Sequence, residues 1–154
     1  LCELKFLPSN VKDLIYIEEL EHFIQSDLLF EILKAKRIIR EQRFNVSMPP
    51  QKFTSDSELI EKMQGEELAV QGVIDLIIIS QSGELKLYDY KTDRLSKDEL
   101  NSYSLAKSKL EAKHAQQLSY YAKACEEMFG KKCDSIQIYS THSARLYDID
   151  IKNL

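Results

Sequence analysis

The sequence predicts an α/β protein in which helices flank a mixed central β-sheet. Three observations carry this. Residues 11–35 and 109–129 repeat apolar side chains every three or four positions, the period of an amphipathic helix. Residues 71–93 hold two β-rich runs around a short Gly-containing loop, as a hairpin does. A helix then separates this hairpin from the alternating runs 135–140 and 146–151, an order that suits a sheet with helices on its faces.

The elements follow in turn. Leu14, Ile17, Leu20, Phe23 and Ile24 form the first helical stripe, with His22 at its boundary. Ser26-Asp27 interrupts the stripe and can cap a second short helix from residue 27 to about residue 34. Residues 35–46 mix apolar and charged side chains as a half-buried strand would, and Glu41 stands among Arg37, Arg40 and Arg43 as a local ion pair. Met48-Pro49-Pro50 ends that strand, and residues 51–65 read as a polar connection with a turn of helix near 57–63. Residues 93–101 read as a charged, solvated loop. On the main helix, Leu110, His114, Gln117, Leu118, Tyr121, Cys125 and Met128 share one stripe, and Gly130 is placed to end it. Gln117 and Tyr121 lie at i and i+4 on that stripe, either as a satisfied core amide with its neighbour or as an amide and phenol aimed at a substrate. The turn at residues 141–144 offers no nucleophile–base arrangement around His142.

The hairpin carries the chemistry. Asp89 and Lys91 are two apart on its second strand and project from one face. Asp75 and Asp89 are symmetric about Ser82, so a three-residue loop, Gln81 to Gly83 with glycine left-handed, sets Asp75 across from Asp89. A two-residue loop would send Asp75 to the other face. Two carboxylates brought together repel, and a hard divalent cation such as Mg²⁺ resolves the repulsion by taking oxygen ligands from both. A lysine beside them can orient a water or stabilise charge on a phosphate. Asp-x-Lys alone is a weak motif, but its apolar flanks demand a partner for the buried charges, which favours a metal site over exposed strand carboxylates.

Composition narrows the field. The 154 residues carry a net charge of −4, with 44% hydrophobic and 30% charged residues, as one soluble globular domain would. An acidic chain is not expected to grip nucleic acid tightly by its overall charge. No apolar run approaches membrane-spanning length, and no signal-peptide pattern opens the chain. Leu1 is not a natural start, so the chain reads as a segment of a longer polypeptide. Cys2, Cys125 and Cys133 lack CxxC spacing, which argues against a disulfide framework, a zinc site or an iron–sulfur cluster and for a reducing, cytoplasmic setting. The three histidines form no spaced metal motif.

Gly72-Val73-Ile74-Asp75, Asp89-Tyr90-Lys91-Thr92-Asp93 and Gln117-Leu118-Ser119-Tyr120-Tyr121, in this order, resemble the nuclease domains of RecB and AddA within the PD-(D/E)xK nuclease superfamily. Arg40-Glu41-Gln42-Arg43-Phe44 is similar to the Arg-Glu-x-x-Phe strand of AddA, and the likeness covers roughly residues 17–139. The resemblance implies a restriction-endonuclease-like sheet and a Mg²⁺-dependent (or Mn²⁺-dependent) exonuclease. Asp75, Asp89 and the backbone carbonyl of Tyr90 would hold the metal, and Lys91 would position the attacking water. Gln117 and Tyr121 would support the site or touch DNA, with Glu41 as an auxiliary acid. It implies the C-terminal part of a bacterial helicase–nuclease subunit, paired with a second subunit and fed single strands by the motor. A non-catalytic module of the same fold, for DNA channelling or docking, is the alternative. The family's early Gly-x-x-x-His has no match: His22 lacks the glycine and stands too close to the Glu41 strand, so the counterpart is expected before Leu1.

Overall fold

A computed structural model describes residues 17–151. The start of the first expected helix, residues 11–16, lies outside them, as does Cys2. Two short helices open the described chain, α1 (Ile17–Ile24) and α2 (Asp27–Lys34), and Ser26 caps the second by accepting from Leu29 N. Strand β1 (Arg37–Met48) leads through a 3₁₀ turn (Pro50–Lys52) and α3 (Ser57–Lys62) to the hairpin β2 (Leu68–Ile79) and β3 (Leu85–Lys91). Helices α4 (Lys97–Asn101) and α5 (Tyr103–Phe129) then cross to β4 (Ser135–Ser140) and β5 (Arg145–Asp148).

The five strands lie in sequence order. β3 and β4 pair in parallel, whereas β1–β2, β2–β3 and β4–β5 are antiparallel. This is the expected mixed sheet flanked by helices. The parallel pair follows from α5, because a crossover of that length is what lets two strands run the same way side by side. One face packs on α5 through Ile77, Leu85, Leu87, Leu110, Leu118 and Ile138. The other packs on α2, where Leu28 and Ile32 meet Leu76, Ile78 and Tyr88.

Several boundaries depart from the sequence pattern: β2 begins at Leu68 and β5 ends at Asp148, short of residue 151. α5 begins at Tyr103, not residue 109, because Ser102 caps it and Ala106, fully buried four residues before Leu110, continues the stripe with a side chain too small to mark it. The stretch 93–101 is not simply a solvated loop. Ser96 and Glu99 form a reciprocal capping box that starts α4.

Candidate metal centre

The hairpin register decides which side chains meet. Ile79↔Leu85 through Leu76↔Tyr88 are paired, so the next step sets Asp75 against Asp89. Ser80 N–H donates to Glu84 O at 3.0 Å and Gly83 N–H to Ser80 O at 3.0 Å, which leaves a three-residue loop. Gly83 takes φ +88°, a conformation glycine adopts without a Cβ penalty. This is the three-residue loop read from the sequence.

At Asp75 the sheet is irregular. β1 and β2 keep one register on both sides, Arg40↔Leu76 and Gln42↔Ile74, yet Glu41 and Asp75 form no ladder pair between them. Glu41 has φ +51°, left-handed backbone that costs a non-glycine residue. The inward parity reverses across this point. Ile39 and Ile77 face α5, and so do Phe44 and Ile74, at odd separations from them. The β2–β3 ladder also stops here, and the Asp75 carboxylate takes over its acceptor role: Tyr90 N–H donates to Asp75 Oδ2 at 2.9 Å.

Asp89 continues the α5-facing row of Leu85 and Leu87 and is 1% exposed. Its Oδ2 lies 2.6 Å from Lys91 Nζ. This ion pair with Lys91 is what compensates the buried oxygen. Lys91 Nζ donates to Gln117 Oε1 at 3.0 Å, and Gln117 Nε2 donates to Tyr121 Oη at 2.6 Å. Of the two accounts of Gln117, its amide is satisfied, and what satisfies it is the lysine of the cluster and Tyr121.

Gly72 makes this relay possible. A Cβ there would come within 2.8 Å of the Phe44 ring, which stands edge-on to Tyr121 with centroids 5.5 Å apart. The glycine seats Phe44, Phe44 backs Tyr121, and Tyr121 holds the glutamine that holds the lysine.

Burial pushes the Asp89 carboxyl above the ordinary carboxylate range. Lys91 opposes the shift, the Asp75 charge adds to it, and His114 opposes it. Burial likewise raises the Tyr121 phenol, with the charges of Asp89 and then Asp75 adding to the shift. Tyr121 and Asp89 thus both feel the charge of Asp75.

Glu41 is exposed and makes no hydrogen bond or ion pair with Asp75, Asp89 or the nearby arginines among the described residues. The local ion pair expected from the sequence does not form. Tyr90 sends its ring to the opposite face, against Tyr139 at 6.1 Å between centroids.

Sequence reasoning missed a second clasp. Asp93 Oδ2 pairs with His114 Nε2 at 2.8 Å, and Oδ1 pairs with Lys113. Lys113 first and His114 after it hold the Asp93 carboxyl below its usual range, against burial. Asp93 lies in the loop beyond β3, and only the position of His114 one turn before Gln117 on the stripe hinted at the contact. His142 has a structural task, since its Nδ1 accepts from Leu95 N at 3.0 Å.

Among the described residues no three His, Cys, Asp or Glu side chains converge on a metal-sized space. The donor set is two carboxylates, Asp75 and the buried Asp89, an all-oxygen set that fits Mg²⁺, which binds one or two carboxylates and keeps its remaining places for water and phosphate oxygens. It does not fit zinc, which takes nitrogen and sulfur ligands in a closed tetrahedron.

Asp75, Asp89 and Lys91 stand where the β2–β3 ladder ends, and the chain belongs to the PD-(D/E)XK nuclease superfamily, whose profile matches residues 8–151. Members of that superfamily generally use divalent metals. The chain is similar to the A subunit of the ATP-dependent helicase/nuclease of Bacillus velezensis, 32% identical over 139 residues that make up 90% of this chain and 11% of the relative. The same-named proteins of Bacillus mycoides and Bacillus anthracis are 36% identical over 113 residues, 73% of this chain and 9% of each relative. The chain therefore spans about a tenth of the length of these curated relatives. No helix of the described residues is long and apolar enough to cross a membrane.

Proposed function

We propose that the chain hydrolyses DNA phosphodiesters as the Mg²⁺-dependent exonuclease domain, residues 1–154, of a larger bacterial, cytoplasmic helicase–nuclease subunit. The observation that carries this reading is the buried Asp89 carboxylate at 2.6 Å from Lys91 Nζ, with Asp75 one register step away across the hairpin. Asp75, Asp89 and the Tyr90 carbonyl would hold Mg²⁺, with Mn²⁺ as a substitute. The ion supplies Lewis-acid charge to the phosphate oxygens when bound.

The chain's own residues supply the rest. Lys91 orients the attacking water and offsets the negative charge that grows on the phosphate. Gln117 fixes the lysine head group, and Tyr121 fixes Gln117. Glu41, exposed beside Asp75 on left-handed backbone, is an auxiliary acid that substrate would recruit. A motor within the same polypeptide, with a second subunit, would deliver single strands, so a chain of net charge −4 need not capture DNA by long-range attraction.

A second reading, a docking module of the same fold without catalysis, draws on the exposed apolar side chains of α1 and α2, among them Ile17, Ile24 and Leu33 at 64%, 58% and 75% exposure. Cleavage of end-labelled single-stranded DNA by the full-length protein separates the two. Mg²⁺-dependent cutting, lost in Asp75→Ala, Asp89→Ala and Lys91→Ala while ATP hydrolysis persists, supports the nuclease. Unchanged cutting in all three variants removes it.

A further inference from the structure

On the sheet face away from α5, a trough opens beside α2. Strand register lays its floor: Lys86 stands across from Ser135, and Tyr88 across from Gln137, which in turn faces Asp148 on β5. Lys86 and Tyr88 alternate with Leu85, Leu87 and Asp89 along β3, so the trough and the carboxylate pair lie on opposite faces. α2 adds Asp27 and Glu31 to the lining, and the cavity measures about 470 Å³. That is the size of a small-molecule site, roughly 300–1,000 Å³.

Five carboxylates, Asp27, Glu31, Glu84, Asp134 and Asp148, line the trough with a single lysine. Lys86 Nζ pairs with Glu31 at 2.8 Å and stands 4.0 Å from Glu84, while Lys131 takes Asp134 at 2.8 Å. Asp27 and Asp148 have no ammonium of their own among the described residues. Asp148 Oδ1 accepts from Gln137 Nε2 at 2.6 Å, which leaves the Gln137 amide oxygen as an acceptor.

Acidity alone would name no ligand, but Tyr88 adds a second mark. It is 1% exposed, packs with Leu28 and Ile32, and borders the trough. Its hydroxyl has no hydrogen-bond partner among the described residues. A polar group so buried costs free energy until something satisfies it. Ser135 Oγ, across from Lys86, is a second buried hydroxyl without a partner. Burial raises the Tyr88 phenol, and the charges of Glu31, Asp148 and Glu84 add to the shift. The trough therefore presents acceptors and negative charge.

Their spread chooses the ligand. Among the described residues no three of these carboxylates converge on a metal-sized space, so one ion would leave others unpaired. Asp27 on α2 and Asp148 on β5 each call for a separate ammonium. We propose that the trough binds a linear polyamine, with one ammonium at Asp27 and another at Asp148. Its N–H groups donate to the Tyr88 hydroxyl and the Gln137 amide oxygen, and its methylenes lie against Leu146.

Calorimetric titration of spermidine into the full chain, without DNA and at physiological ionic strength, tests this. One saturable site is expected, with propylamine, a single ammonium, weaker by at least roughly tenfold. Tyr88→Phe keeps the ring in the core and should weaken binding by about tenfold. Asp27→Asn and Asp148→Asn should each weaken it by about threefold. Glu18→Gln, on α1 outside the trough, should leave it unchanged. No uptake by the parent chain, equal affinity for propylamine, full affinity in Tyr88→Phe, or an equal loss in Glu18→Gln would overturn the proposal. Tighter binding of a tri-arginine peptide would overturn it too, by making the occupant a polypeptide. None of these outcomes depends on whether the chain cuts DNA.

Discussion

Asp89 and Asp93 sit four residues apart on one strand extension and respond to pH with opposite signs. Burial raises the folded-state pKa of Asp89, so its contribution to stability declines as pH rises from the unfolded value of about 4 through the raised folded one. Lys91→Ala removes the opposing charge and strands a buried carboxylate. It should cost about 3 kcal/mol at neutral pH, and thermal melts should show that deficit shrinking as acid neutralises Asp89. Asp93 has a lowered folded pKa, so its stabilisation is present above the unfolded value and disappears as pH falls through the folded one. Asp93→Asn should therefore cost about 1–2 kcal/mol near pH 7, and its melting curve should merge with the parent's in strong acid. A deficit for Asp93→Asn that grows on acidification would contradict this assignment.

At the scale of elements, the β1–β2 kink and the α5 relay act together through Gly72. Gly72→Val drives a branched side chain into the Phe44 ring and should cost about 1–3 kcal/mol by overpacking. Cutting should fall further than stability, since Tyr121, Gln117 and Lys91 shift in series; a variant that is less stable but cuts normally would show the relay to be idle. Ser96→Ala should cost about 1 kcal/mol by removing the α4 capping box, without touching the carboxylates. The sequence allowed two hairpin registers, and the three-residue loop was legible because it alone gathers Asp75, Asp89 and Lys91 on one face, while the pairing of Gln117 with Tyr121 was legible as i,i+4 spacing. The parity reversal was not, because one left-handed Glu41 leaves no mark on a strand whose first half mixes apolar and charged side chains without clean alternation. The start of α5 was hidden by an alanine. The Asp93–His114 clasp needed a contact between a loop and a helix twenty residues on, which periodicity within either one cannot report.

For the whole molecule, the sheet brings two hairpin carboxylates, a strand lysine and a helix amide to the place where β2 leaves β3. The net charge of −4 belongs to the chain at large and says little about this point, where the decisive feature is a buried carboxylate paired with one lysine. The exposed apolar flank on α1 and α2 lies on the other face of the sheet, so docking there would leave the carboxylate side open. Calorimetric titration of Mg²⁺ and Mn²⁺ into the protein, without DNA, tests the central claim most directly. A saturable site for both ions that vanishes in Asp75→Ala and in Asp89→Ala is the predicted result. Binding unchanged in either variant, or no uptake by the parent protein, would contradict it.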